Sequence, residues 1–138
     1  TCVMDYPHEP VHYGGCMEKK HSSRFLAIVE AARSEISECS AAELTGLIEK
    51  GATVIDVREQ HEFDAGHFKS AIHIGKGVIE RDIEKHEIAE SDKLILYCGG
   101  GFRSAIAAKS LQDMGYSDVV SLWGGWRGIL AEGLETTK

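Results

Sequence analysis

A chain of 138 residues, 43% hydrophobic and 27% charged with 2 Pro, has the length of one domain. Its core should hide roughly 65–70% of the surface the unfolded chain exposes, which excludes collagen-like and broadly disordered classes. The net charge of −7, from 15 Lys+Arg and 22 Asp+Glu, argues against general binding of nucleic acid or anionic membrane, and no apolar run approaches the roughly 18–20 residues that span a bilayer.

The first 23 residues read as an irregular arm, because Pro7, Pro10, Gly14 and Gly15 break any regular period. The arm opens on Thr1, which leaves room for a targeting segment removed upstream. It gathers Cys2, His8, His12, Cys16 and His21. Their spacing matches no common zinc finger, so a disordered arm is expected, with a metal site or a Cys2–Cys16 disulfide as alternatives. With Cys39 and Cys98 the chain holds 4 Cys and no Cys-x-x-Cys pair. That is no disulfide scaffold, and the expected location is a reducing compartment, the cytoplasm.

The domain is expected over residues 24–138. Phe25, Ile28, Val29, Ala32 and Ile36 recur at helical spacing and predict an amphipathic helix from Arg24. A second helix is predicted over Ala41–Lys50, with Ser40 and Glu43 as a capping box and Gly51 as its stop. The β-branched run Thr53–Val57 predicts a buried strand, Glu59–Ala65 a short helix and Ala71–Ile74 a short strand. A helix over Val78–His86 precedes Lys93–Tyr97, an apolar run of the kind a parallel sheet buries on both faces. Ser104–Met114 predicts a helix ended by Gly115, Val119–Leu122 a last strand, and Trp126–Ala131 a closing helix. Strands alternating with helices predict an α/β domain with crossovers on a parallel sheet. Ligands in such sheets bind beyond the carboxyl ends of strands, here Val57 and Tyr97.

Tyr97 runs into Cys98-Gly99-Gly100-Gly101-Phe102-Arg103-Ser104. Glycines permit positive φ and let successive N–H groups curl around one point, and a helix start behind them adds donors and the positive end of a dipole. A sulfur at the mouth of such a nest is favoured as its anion. Arg103 adds a positive charge, and from Lys93 to Gln112 there is no Asp or Glu in an otherwise acidic chain. Cys98 is therefore the candidate nucleophile. The alternative is a buried structural cysteine beside a tight turn.

This loop resembles the active-site loop of single-domain rhodanese-like sulfurtransferases. Upstream, Ile55-Asp56-Val57-Arg58-Glu59, Glu62-Phe63, Gly66-His67-Phe68 and Ala71-Ile72-His73-Ile74 resemble that family's first signature. Downstream, Gly115-Tyr116 and Leu122-Trp123-Gly124-Gly125-Trp126 resemble its closing signature, so the ordered likeness runs from Ile36 to Leu134. The resemblance implies a five-stranded parallel sheet flanked by helices on both faces. It implies that Cys98 takes a sulfane sulfur from a small anionic donor such as thiosulfate, becoming a persulfide. A thiophilic acceptor (cyanide, a thiol or a partner protein's cysteine) then removes it. The amides of Gly99, Gly100, Gly101, Phe102, Arg103 and Ser104 would hold the outer sulfur as an oxyanion hole holds oxygen. This relay calls for no cofactor and no metal. Two departures stand out: Lys69 and Ser70 follow Phe68 where family members often carry a proline, and Arg103 is the loop's one basic residue. The second weakens the case for thiosulfate and leaves neutral or protein-borne donors open.

Around the loop, Asp56 is expected to accept hydrogen bonds from it or to pair with Arg103; the alternative is a cap on the next turn. Arg58 is expected either to support the site or to pair with Glu62 at i, i+4. His67 and His73 are expected to fix turns, and Phe102, Trp123 and Trp126 to line the pocket or join the core. Two rival functions remain. Tyrosine-phosphatase-type and arsenate-reductase-type enzymes also place a Cys before an anion cradle ending in Arg, but with five residues between, whereas four separate Cys98 from Arg103. The other is a non-catalytic rhodanese-like binding or regulatory module.

Overall fold

The structure, a computed structural model, describes residues 21–138. Cys2, His8, His12 and Cys16, and with them the metal and disulfide readings of the arm, lie outside the described residues. In chain order the elements are α1 (Ser23–Arg33), β1 (Ser37–Cys39), α2 (Ala41–Glu49), β2 (Thr53–Asp56), α3 (Gln60–Ala65), β3 (His67–Phe68) and β4 (Ile72–His73). There follow α4 (Ile79–Asp82) between two 3₁₀ turns, β5 (Lys93–Tyr97), α5 (Phe102–Asp113), β6 (Asp118–Leu122), α6 (Gly125–Ala131) and β7 (Thr136–Thr137).

Local chemistry explains most of the starts. Ser22 caps α1 by accepting the Phe25 N–H at 3.1 Å. Glu43 reaches back to the Ser40 N–H at 2.8 Å and Glu62 to the Glu59 N–H at 2.9 Å, so α2 and α3 both begin with an acidic side chain closing the first turn. The predicted helix over Val78–His86 is instead a short α4 flanked by 3₁₀ turns.

The five strands β1-β6-β5-β2-β4 lie side by side in that order, every pair parallel, the α/β sheet the sequence calls for. Of these five, β1 is the one the sequence pattern does not predict, and the short β3 and β7 are likewise unpredicted. Ile36 fits the spacing of α1, but that helix ends at Arg33 and Ile36 packs against the core beyond it. Ser37, Glu38 and Cys39 then extend because Val120, Ser121 and Leu122 offer them an edge to pair with. β3 and β7 form a separate antiparallel ribbon.

Alternation along the strands sorts the core onto two faces. Ile55, Leu94, Leu96 and Val119 meet Ile79 and Ile83 of the α4 region and Ala107, Ala108 and Leu111 of α5. Val54, Ile95, Tyr97, Val120 and Leu122 meet Leu44 of α2 and Ile129 of α6. Helix α1 packs on α5 through Val29, Ala32 and Ala105. Among the described residues no helix is long and apolar enough to cross a membrane.

Candidate active site

Cys98 leaves the end of β5, the middle strand, on the face that carries Leu94 and Leu96. That parity aims its sulfur at the start of α5. Sγ accepts the Gly101 N–H at 3.2 Å and the Ser104 N–H at 3.3 Å, and lies 3.5 Å from Ser104 Oγ. Gly101, with φ +99°, is the N-cap residue of α5. The sulfur thus occupies the place of a capping side chain and takes up amides the helix cannot satisfy itself. Phe102, Arg103 and Ser104, expected in the loop, are the first turn of this helix. Ser104 Oγ continues the chain of contacts to Ser121 Oγ on β6 at 2.8 Å, both residues being fully buried.

The sulfur is not at the mouth of the nest as the sequence suggests. Cys98 is 1% exposed, its sulfur drawn inward onto the Gly101 and Ser104 amides. The Arg103 guanidinium interacts with the Cys98 sulfur on one side. On the other it donates to Glu62, Nη1 to Oε1 at 3.1 Å and Nη2 to Oε2 at 3.4 Å. Burial acts to lower the Arg103 guanidinium and to raise the Glu62 carboxyl. Burial is the largest single influence on each, but the mutual hydrogen bonds and the surrounding charges together exceed it, leaving Arg103 above and Glu62 below its ordinary value.

The loop's shape is held from α6. Trp126 N–H donates to Cys98 O at 2.6 Å and Arg127 N–H to Gly99 O at 3.2 Å. With these two carbonyls turned outward, the amides further along face the sulfur. Gly125 permits the approach: its φ is +51°, and a Cβ there would lie 2.3 Å from Cys98 O and 2.9 Å from Gly99 C.

Asp56 caps the turn after β2, the alternative expected of it, by accepting the Arg58 N–H, and the side-chain pairings expected of Asp56 and Arg58 do not form. Asp56 does not pair with Arg103, and Arg58 does not bond Glu62; they bond each other. Fully buried Asp56 accepts from Arg58 Nη2 at 2.8 Å, from Nε at 3.1 Å and from the Arg58 backbone N–H at 2.9 Å. Arg58 Nη2 also donates to Gly66 O at 2.7 Å. Burial, the largest single influence, would lower the Arg58 guanidinium, but the bonds to Asp56 together with the Asp56, Tyr97 and Glu62 charges hold it above its ordinary value. The guanidinium carbon sits 4.7 Å from the Trp126 ring centroid and 5.6 Å from that of Tyr97. Arg58 thus packs on Trp126, which is partly buried against the cluster that holds Tyr97, on the face opposite the Cys98 sulfur.

Neighbouring residues settle into structural places. His67 Nδ1 donates to Phe63 O at 2.9 Å and His73 Nε2 to Arg58 O at 2.7 Å, fixing turns as expected. Buried Trp123 and Phe102 join the α1 side of the core, and the Phe102 ring is covered by His21, Phe25 and Arg33. Tyr97 lends its hydroxyl to the Phe68 N–H at 3.0 Å, and burial together with Asp56 pushes its ionisation up. Cys39, on the opposite face, is pushed up to about 12 by burial and by Glu43. Glu62, Ser121 and Gly125 are the site residues that sequence reasoning missed. Ser121 carried a signal, a polar residue inside the apolar run Val119–Leu122; Glu62 carried none, since its partner is 41 residues away.

The family model of the Rhodanese-like domain matches residues 40–132, well over half of the chain. The "Putative sulfur carrier protein YrkF" of Bacillus subtilis is 29% identical over 79 residues, 57% of this chain and 42% of that protein. The tRNA uridine(34) hydroxylase of Bacillus cereus is 40% identical over 84 residues, 56% of this chain and 25% of the enzyme. The chain thus spans less than half the length of these curated relatives. Among solved structures, a protein of unknown function from Rhodopseudomonas palustris, described as a possible tyrosine phosphatase, superposes with a TM-score of 0.72 at 25% identity, over 86% of this chain and 98% of that one. A parallel five-stranded sheet, a cysteine at the end of its middle strand and a matching family model have one reading: the chain belongs to the rhodanese-like domain family.

Proposed function

We propose that the protein is a sulfurtransferase that carries sulfane sulfur on Cys98. The observation that carries the reading is the sulfur's surroundings, with the Gly101 and Ser104 amides at 3.2 and 3.3 Å and the Arg103 guanidinium beside it. These groups are placed to hold the negative charge of a persulfide formed on Cys98. With thiosulfate as donor, the Cys98 thiolate attacks the outer sulfur, the S–S bond breaks, and sulfite leaves with the bonding pair. The resulting Cys98–S–S⁻ places its charge where the loop amides point. A thiophilic acceptor then attacks the outer sulfur and returns Cys98 as thiolate. A cysteine-bearing protein acceptor fits the likeness to a protein named as a sulfur carrier. The thiol chemistry suits a reducing compartment, the cytoplasm.

The test is intact mass after thiosulfate treatment. The expected result is one added sulfur atom, lost on cyanide treatment with release of thiocyanate, and absent in Cys98→Ala. No sulfur gain in the native protein, from thiosulfate or from a monoanionic sulfane donor, sinks the proposal.

A Cys-dependent phosphatase is the second reading, favoured by the description of the Rhodopseudomonas palustris protein. Against it stand the four residues between Cys98 and Arg103, and donors already converging on a single sulfur. Hydrolysis of an aryl phosphate without thiocyanate formation would reverse the order of the two readings. Full biological activity of Cys98→Ala would instead favour a non-catalytic module.

A further inference from the structure

Arg103 is the one cation of the segment Cys98–Ser104, and it does not stand open to an incoming anion. Glu62 holds it from α3 with both carboxylate oxygens, and the two side chains are 32% and 30% exposed, at the surface above a sulfur that is itself covered. Glu62 is fixed in turn by the Glu59 N–H at 2.9 Å. A stretch free of acids from Lys93 to Gln112 has thus acquired a carboxylate from a neighbouring element. A donor approaching Cys98 meets an ion pair of zero net charge. Each negative charge it brings within about 5 Å of the carboxylate, where solvent reaches, alters binding by about fourfold.

We infer that the site takes singly charged or neutral sulfane donors, the persulfide class, in preference to dianionic thiosulfate, and that Glu62 sets this preference by offsetting the charge of Arg103. This rests on the sulfurtransferase reading and deepens it. With a persulfide R–S–SH, the Cys98 thiolate attacks the outer sulfur, the S–S bond breaks, and R–S⁻ leaves with the bonding pair and takes up the proton as R–SH. Cys98–S–S⁻ remains, so atoms and charge balance without any further oxidant or reductant.

Two donors of nearly equal shape test the charge alone: thiosulfate, a dianion that expels sulfite, and methanethiosulfonate, a monoanion that expels methanesulfinate. Their kcat/KM values are compared in the native protein, Glu62→Gln and Glu62→Asp. Glutamine retains an oxygen for the Glu59 N–H, so α3 keeps its start. The thiosulfate-to-methanethiosulfonate ratio should rise about fourfold in Glu62→Gln, through KM rather than kcat. In Glu62→Asp, which keeps the charge, it should stay within about twofold of the native value. An unchanged ratio in Glu62→Gln overturns the inference, as does Glu62→Asp behaving like Glu62→Gln. Loading of Cys98 by thiosulfate alone also overturns it while leaving sulfur transfer standing. Loading by neither donor removes both.

Discussion

Gly125→Ala tests whether the start of α6 shapes the sulfur loop. The added Cβ falls 2.3 Å from Cys98 O, 2.9 Å from Gly99 C and 3.0 Å from Cys98 C, all backbone atoms with no rotamer to yield. Alanine at φ +51° costs about 1–2 kcal/mol. Forcing a methyl into packed backbone costs a further ~1–3 kcal/mol. The sum, roughly 2–5 kcal/mol, is a large share of the stability of a typical domain and should lower the urea midpoint by roughly 1–3 M. Gly133→Ala is the control, with φ +73° but no atom within 4 Å of its Cβ, so it carries only the backbone cost. The two tryptophans, Trp123 and Trp126, give the unfolding signal. Relief of the overlap must also move the Cys98 and Gly99 carbonyls off the Trp126 and Arg127 amides. Under conditions where the variant is folded, sulfur loading of Cys98 should therefore fall at least about tenfold, the loss expected when about 1.4 kcal/mol of preorganisation goes. Equal midpoints for the two alanine variants, with native loading in Gly125→Ala, would refute the reasoning.

Two further outcomes follow from the buried groups. Arg58→Ala strands the fully buried Asp56 and should cost roughly 3–5 kcal/mol in urea unfolding. Arg58→Lys should recover little of it, because an ammonium cannot reproduce the fork to both carboxylate oxygens; a loss under about 1 kcal/mol for the alanine variant contradicts the support role. Cys39 is held up to about 12, from an ordinary 9.0, by burial and Glu43. Between those values the unfolded thiol has lost its proton and the folded one has not, so Cys39 makes stability fall with rising pH, by about 1.4 kcal/mol per pH unit. Below pH 9 it has no such effect. Cys39→Ala should flatten that decline between pH 9 and 10, and an undiminished slope counts against the burial argument.

The elements with a strong local signal were legible. Apolar β-branched runs marked β2, β5 and β6, and Ser40 with Glu43 marked the start of α2, because these signals lie within a few residues of one another. Cys98 and its loop belong with them in part: strand, cysteine, glycines and helix start are contiguous, so the sequence brought the sulfur next to the α5 amides, but at the mouth of the nest rather than inside it. β1 was not legible, since Ser37–Cys39 becomes a strand only through β6, about 80 residues on.

What tertiary structure decided is which partner each charged group takes. Asp56, Arg58, Glu62 and Arg103 admit several pairings along the chain, and the sequence rules favoured Arg58 with Glu62 at i, i+4. The fold instead buries Arg58 against Asp56 and the Trp126 ring, and lays Glu62 over the start of α5 beside Arg103. A buried carboxylate must be met by the nearest rigid donor fork, and that distance is set by how β2, α3, α5 and α6 pack. The chain's local order therefore supplied the sulfur and its amides, while packing supplied the Arg103–Glu62 pair beside the loop and the glycine contact that holds it in shape.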